Sequence, residues 1–67
     1  MMRVRLNNQE ITLDDAQTIK ELLNNHGYTD GCYAVTLNRN FVAKHTYDHI
    51  KLNDRDHVEI IHPMQGG

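Results

Sequence analysis

The residues best suited to chemistry lie at the end of the chain, in Pro63-Met64-Gln65-Gly66-Gly67. Proline has no N–H to give to a strand ladder, so regular pairing is expected to end at Pro63. Glycine has no Cβ, so a Gly66-Gly67 segment can thread a narrow active site and bring its backbone close to a nucleotide or a catalytic residue. We therefore expect residues 63–67 to form a flexible C-terminal arm, with the carboxylate of Gly67 as its working group.

A terminal carboxylate suits one kind of activation. It is a poor electrophile, because its charge and resonance deter nucleophiles. Adenylation by ATP supplies a good leaving group, and a sulfur nucleophile can then displace AMP to leave a thiocarboxylate on Gly67. No base or metal of the chain's own is needed, since partner enzymes would supply both. The alternative is a frayed end without function, which many chain termini are.

The elements that must hold this arm begin with a predicted hairpin. Met2-Arg3-Val4-Arg5-Leu6 alternates apolar and polar residues, which is typical of a half-buried strand. Asn7-Asn8 suits a tight turn, because asparagine tolerates positive φ. Ile11 and Leu13 continue the alternation in a return strand.

A helix follows the hairpin, because the apolar period changes to that of one helical stripe at Ile19, Leu22, Leu23 and His26. Thr18 and Glu21 have the spacing of a capping box, and Gly27 supplies the C-terminal stop. The stripe predicts core packing, with His26 at its edge rather than as a ligand.

The rest of the chain is predicted to be mainly β. In order, it holds a strand from near Cys32 to Leu37, a turn at 38–40, a short strand at 41–43, a helical turn within 45–52, a turn at 53–56 and a last strand from His57 to His62. One helix covers only one face of such a sheet. The order favours an α+β fold of the β-grasp (ubiquitin-like) type, with a mixed four- to five-stranded sheet, one main helix on one face and the last strand in the middle.

Length and composition exclude several classes of function. With 67 residues the chain is expected to be one domain, 1–67, too small to enclose a deep active site. Its net charge of −2 disfavours nucleic-acid binding, and no apolar run is long enough to span a membrane. The lone Cys32 fits a reducing compartment, so we expect a cytoplasmic protein.

The histidines, the cysteine and the paired aspartates are interpreted as structural or surface residues rather than as metal ligands or catalytic groups. His45 and His49 are four residues apart, a spacing that would bring only two ligands together. His57 and His62 have opposite parity on a strand and would face opposite sides of the sheet. Since no three ligands converge, no metal site is predicted. Cys32 is interpreted as a small half-buried residue, because no neighbouring cation lowers its pKa. The adjacent carboxylates Asp14-Asp15 are interpreted as loop or helix-start charge.

The sheet face opposite the helix is expected to be bare unless a partner covers it. Phe41, Ile61 and Met64 are apolar candidates for a docking surface near the arm. The alternative for Phe41 is a place in the core, since strand parity around a short turn is uncertain.

The chain resembles the ThiS family of sulfur carriers of thiamine thiazole biosynthesis over essentially its whole length. The resemblance is carried by Gln17-Thr18-Ile19, Glu21-Leu22-Leu23, Val35-Thr36-Leu37-Asn38, Phe41-Val42, Leu52-Asn53-Asp54-Arg55-Asp56, Val58-Glu59-Ile60-Ile61 and, most specifically, the Pro-Met-Gln-Gly-Gly ending. Family members usually have glycine where this chain has Arg55, and often where it has Arg39. Both departures fall in predicted turns.

The resemblance implies a cycle in which the chain is a co-substrate and not an enzyme. A ThiF-like, E1-like adenylyltransferase would activate Gly67 with Mg-ATP, and a cysteine-desulfurase relay would supply sulfur. A ThiG-like thiazole synthase would take up that sulfur and regenerate the carboxylate. Met64, Gln65 and Gly66 would enter the partners' active sites with Gly67. The hypothesis that Phe41, Ile61 and Met64 dock the partner enzymes comes from the bare sheet face and not from the resemblance. The chain itself would bind no cofactor.

Two other functions remain open at this stage. A different β-grasp carrier, such as the small subunit of molybdopterin synthase or a ubiquitin-related modifier, shares the fold and the Gly-Gly end. A β-grasp interaction module that carries no sulfur is the alternative from another class, and it predicts that Gly67 is dispensable.

Overall fold

The computed structural model describes residues 1–28 and 33–62. Its elements are β1 (Met2–Leu6), β2 (Gln9–Leu13), α1 (Ile19–Asn25), β3 (Ala34–Leu37), β4 (Asn40–Val42), a 3-10 helix (Lys44–Thr46) and β5 (His57–Ile61). The five strands form one sheet in the order β2-β1-β5-β3-β4. β5 runs parallel to β1 and antiparallel to β3, so the sheet is mixed. The predicted β-grasp order, with the last strand in the middle, is confirmed.

Helix α1 begins at the predicted capping box. The amide of Glu21 donates to the Thr18 hydroxyl oxygen at 3.2 Å, and the amide of Thr18 donates to the Glu21 carboxylate at 2.9 Å. Gly27 has a φ of 85° just after the helix, a conformation that glycine adopts without strain. His26 is the exposed C-cap residue, as its place at the edge of the stripe predicted.

The core lies between α1 and one face of the sheet, and strand residues of one parity supply most of it. Its buried side chains among the described residues are Val4, Leu6, Leu13, Ile19, Leu22, Leu23, Val35, Val42, Tyr47, Leu52 and Val58. Burial raises the pKa of the Tyr47 hydroxyl above its ordinary value of 10.0. Residues of the other strand parity point away from α1, and we call that side of the sheet the open face.

Two turn asparagines hold β5 between its neighbours. Asn7, with a φ of 56°, ends β1, and its side-chain Oδ1 accepts the Ile60 amide at 2.9 Å. β1 has turned away at that point, so the side chain replaces a ladder partner. On the other side Asn38, with a φ of 51°, accepts the His57 amide through Oδ1 at 2.9 Å. Both asparagines combine a left-handed backbone with a side-chain hydrogen bond to the central strand.

The start of β5 is also tied to a buried carboxylate. Asp56 is 8% exposed, and its two carboxylate oxygens accept the Asn53 amide at 2.7 Å and the Asn38 side-chain amide at 3.0 Å. The Asp56 carbonyl oxygen accepts the Arg5 amide at 2.8 Å, which starts the parallel pairing with β1. A single residue thus closes the turn at 53–56 and aligns the strand that follows it.

Removing the asparagine side chains should weaken the placement of β5. Asn7→Gly and Asn38→Gly keep the turn conformation but delete the hydrogen bonds. Because an unpaired, partly buried N–H costs about 1–3 kcal/mol, we expect each variant to lower the free energy of unfolding by about 1–2 kcal/mol in urea titrations. Asn8→Gly is the control for the entropy that glycine adds to the unfolded chain, since the Asn8 side chain makes no hydrogen bond within the described parts of the chain and its φ is not positive. An equal loss of unfolding free energy in that control would show that the greater backbone freedom of glycine, and not the missing hydrogen bonds, explains the effect.

Arg39 and Arg55, the two positions at which the chain departs from the family that it resembles, both have a left-handed backbone. Arg39, with a φ of 71°, follows Asn38 in the two-residue loop between β3 and β4, which gives a type I′ hairpin turn. Arg55, also with a φ of 71°, lies in the turn before β5, where its amide donates to the Arg3 carbonyl oxygen at 2.6 Å. The backbone therefore keeps a glycine-like shape without glycine, at a cost of about 1–2 kcal/mol per residue.

Restoring glycine at these positions should stabilise the fold. Glycine removes the strain of the left-handed backbone but also increases the conformational entropy of the unfolded chain. Because the first free-energy term is the larger one, we expect Arg55→Gly and Arg39→Gly each to raise the free energy of unfolding by about 0.5–1 kcal/mol. Arg55→Ala is the control, because it removes the guanidinium but keeps the Cβ. If the alanine and glycine variants at position 55 were equally stable, backbone strain would not be the cause.

Candidate functional site

The sheet places the predicted arm directly after its central strand. β5 ends at Ile61 and His62 follows it. The arm residues, Pro63, Met64, Gln65, Gly66 and Gly67, lie outside the described residues, as does Cys32. What the structure describes is the base of the arm, a strand that pairs with β1 at His57 and Val58 and with β3 from Val58 to Ile61.

Phe41 and Ile61, the two predicted docking residues within the described chain, are both on the open face. Phe41 is 73% exposed and Ile61 is 52% exposed, which decides against a place for Phe41 in the core. Phe41 lies opposite Thr36 across the β3–β4 pair, and Ile61 lies opposite Ala34 across the β3–β5 pair. The two apolar side chains therefore lie diagonally across β3, with Ala34 and Thr36 between them. The result is an apolar strip that reaches the end of β5, next to the base of the arm.

The other half of the open face is charged. Arg5 lies opposite Glu10 on β2 and beside His57 on β5. A shallow groove on this side is lined by Met1, Arg3, Val4, Arg5, Glu10, Asp54, Arg55 and His57. Its lining carries three arginines, Arg3, Arg5 and Arg55, and the two carboxylates of Glu10 and Asp54, so charges of both signs are present. The open face thus combines an apolar strip with a mixed polar border, the usual composition of a protein-binding surface.

A cluster of three rings lies where β5 ends. We call Tyr28, Tyr33 and His62 the aromatic cluster. The two tyrosine ring centroids are 5.7 Å apart in an edge-to-face arrangement, and the His62 centroid lies 6.1 Å from each of them. The Tyr33 hydroxyl donates to the Tyr28 carbonyl oxygen at 2.8 Å.

Sequence reasoning assigned no role to this cluster, because its assembly depends on the register between β3 and β5. Tyr33 and His62 each lie one residue beyond the paired Ala34 and Ile61 of antiparallel neighbours, so the register brings them together. That register was not known from the sequence. Tyr28 joins them because its amide donates to the Leu23 carbonyl oxygen at 2.9 Å, which fixes it at the end of α1.

The other residues considered from the sequence are dispersed. His45 and His49 are exposed, and Nε2 of His49 lies 3.5 Å from the Asp48 carboxylate. His57 Nε2 lies 3.2 Å from the Asn7 carbonyl oxygen, far along β5 from His62. Asp14 and Asp15 are exposed in the loop before α1, as predicted. Within residues 1–28 and 33–62 no three His, Cys, Asp or Glu side chains are placed to hold a metal ion. Helices long and apolar enough to cross a membrane are absent from the same residues.

The fold, the exposed apolar strip and the central last strand together define a small β-grasp domain with an unpartnered sheet face. The model of the ThiS family matches residues 3–67. The sulfur carrier protein ThiS of Bacillus subtilis (strain 168) is 34% identical over 53 residues, which is 79% of this chain and 80% of that protein. The chain belongs to the ThiS family.

Solved structures support the same assignment. The crystal structure of the thiamine biosynthesis protein ThiS from Geobacter metallireducens has a TM-score of 0.84 at 26% identity, covering 98% of this chain and all of that one. An NMR solution structure of a thiamine biosynthesis protein from the same organism has a TM-score of 0.77 at 26% identity, covering 98% of this chain and 88% of that one. The likeness therefore extends over the whole β-grasp sheet.

Proposed function

We propose that this protein is the sulfur carrier for the thiazole ring of thiamine, and that its sulfur is held on the carboxylate of Gly67. The observation that carries the proposal is the family match, which runs through residue 67 and so includes the Gly66-Gly67 pair. The position of β5 supports it, because β3 and the Asn7 side chain hold the end of this central strand ahead of an arm that must enter another protein.

The proposed chemistry takes place on the arm and in the partners. In an E1-like adenylyltransferase of the ThiF kind, a carboxylate oxygen of Gly67 attacks the α-phosphorus of Mg-ATP, and pyrophosphate leaves. A persulfide delivered by a cysteine-desulfurase relay attacks the acyl-adenylate through its terminal sulfur and expels AMP, which leaves an acyl disulfide between Gly67 and the relay cysteine. A second thiol of the relay then cleaves this disulfide by exchange, so that the thiocarboxylate is released and the two relay thiols are oxidised to a disulfide. A ThiG-like thiazole synthase then takes the sulfur from the thiocarboxylate, which returns Gly67 to a carboxylate. The chain is consumed and regenerated as a co-substrate, and ATP and magnesium belong to the activating partner.

The arm also suits the geometry that such partners require. Two glycines present no side chains, so Gly66 and Gly67 can lie along a nucleotide-binding cleft with Gln65 and Met64 behind them. Adenylation needs the carboxylate in line with the α-phosphate, and positioning of this kind is a large part of catalysis.

Intact-mass analysis tests the carrier function directly. After incubation with ATP, an E1-like activating enzyme and a sulfur source, the mass of the chain should rise by the difference between one sulfur and one oxygen atom. The gain should disappear without ATP, because the unactivated carboxylate does not react. Transfer to a ThiG-like thiazole synthase should then restore the original mass.

Deletion of Gly67 is the matched control for that experiment. The shortened chain should fold as before but gain no sulfur, because its new terminus stops one residue short of the adenylation site. If the full chain gained no mass, and a chain without Gly67 still supported thiamine synthesis, a plain interaction module would be the better description.

The apolar strip of the open face is proposed to dock the activating enzyme. Phe41 and Ile61 are exposed apolar side chains on the face that α1 leaves free, and Ile61 is one residue from the base of the arm. Aromatic and aliphatic anchors of this kind supply most of the binding energy at protein interfaces. Met64 is proposed to extend the strip along the arm.

Charge substitution on the strip tests docking. Since Phe41→Asp and Ile61→Asp each place a carboxylate in an apolar contact, we expect the KM for the carrier in adenylation to rise about tenfold or more, with little change in the unfolding free energy. Thr12→Asp on β2 is the control, because Thr12 is also exposed on the open face but lies on the distant edge strand. Unchanged adenylation and sulfur transfer by the Phe41 and Ile61 variants would exclude these residues from docking.

A further inference from the structure

The aromatic cluster joins three separate parts of the chain at one end of the sheet. Tyr28 follows α1, Tyr33 precedes β3 and His62 follows β5. The two tyrosines are held independently of His62, since the Tyr33 hydroxyl donates to the Tyr28 carbonyl oxygen and the Tyr28 amide donates to Leu23. They therefore form a fixed pair of rings against which the His62 ring packs.

The packing of His62 differs from that of a loose surface side chain. Its ring is tilted by 30° to the Tyr28 ring and by 80° to the Tyr33 ring, with both centroids at 6.1 Å. The contact with Tyr28 is tilted, and the contact with Tyr33 is edge to face, an arrangement that aromatic rings prefer. The residue is exposed as a whole, yet its ring has two defined partners. Two neighbours in different directions restrict the ring more than a single neighbour would.

We propose that the aromatic cluster fixes the base of the arm, so that His62 is a positioning residue for the reaction at Gly67. This inference rests on the proposed function, which it deepens. His62 immediately precedes Pro63 in the sequence, so a contact that holds His62 holds the residue to which residues 63–67 are attached. Without the cluster, the pairing of Ile61 with Ala34 would be the last described contact of β5 before that point.

A fixed base matters because the arm is short. Binding immobilises every residue that was free beforehand, and each costs affinity. If His62 no longer packs against the tyrosines, His62 and the neighbouring Ile61 gain conformational freedom in the unbound protein. The partner must then immobilise these two residues as well when it binds. The carboxylate is also delivered less often to the adenylation site, as the effective concentration of a tethered group depends on the length of its free tether. The effect should appear in KM, since the chemistry at Gly67 is unchanged once the arm is bound.

The test compares three variants of the full chain. His62→Ala removes the ring, His62→Phe keeps a ring that packs against the tyrosines, and His45→Ala removes an exposed histidine outside the cluster. The measurements are the unfolding midpoint, amide nitrogen NMR relaxation at Ile61, Met64 and Gln65 in the free protein, and kcat and KM for adenylation by an E1-like enzyme.

For His62→Ala we expect lower order at these three amides and a KM about three- to tenfold higher, with kcat unchanged. His62→Phe should restore both values, and His45→Ala should match the wild type. Unchanged relaxation in His62→Ala would overturn the proposal, and so would altered relaxation with an unchanged KM. A loss of stability shared by His62→Ala and His62→Phe, with normal KM in both, would make the cluster purely structural and would likewise overturn it.

Failure of the carrier function itself is recognised separately. If the wild-type chain is not adenylated at all, the function proposed above is contradicted before any variant is compared. The relaxation measurements on the free protein then still decide whether His62 holds the base of the arm.

Discussion

The structure depends on the insertion of β5 between β1 and β3. This strand comes last in the chain but lies in the middle of the sheet, so its two neighbours must leave a gap with both edges open. Asn7 and Asn38 close that gap from opposite sides, each through a turn with positive φ and a side-chain oxygen that accepts an amide of β5. Asp56 aligns the start of the strand through the Asn53 and Asn38 amides. The hydrogen bonds that complete the sheet therefore come partly from turn side chains.

This arrangement separates stability from function along one strand. The first half of β5 is held by buried contacts, with Val58 fully buried beneath α1. The second half leads to exposed Ile61, to His62 in the aromatic cluster and then to the arm. Pairing on both sides extends only as far as Val58, and beyond it β5 is held by β3 and by the Asn7 side chain.

The open face has a complementary role. A sheet with one helix buries only one side, and here the bare side holds Phe41 and Ile61 diagonally across β3 beside a mixed charged groove. The β-grasp fold thereby brings one end of a candidate docking surface, Ile61, onto the strand that leads to the arm. In the proposed cycle one partner could contact both at once, which would make binding and delivery of the carboxylate a single event.

Local patterns were enough to predict most of the elements. The alternation in residues 2–6, the capping box of Thr18 and Glu21, and the stop at Gly27 depend on neighbours in sequence, and all three are confirmed. The Gly66-Gly67 ending and its chemistry also came from the sequence alone. Only the tertiary structure could place Phe41 on the open face, bring Tyr33 beside His62 and show that Arg39 and Arg55 keep a left-handed backbone. These features depend on the register between strands far apart in sequence and on turn geometry, which side-chain periodicity does not encode.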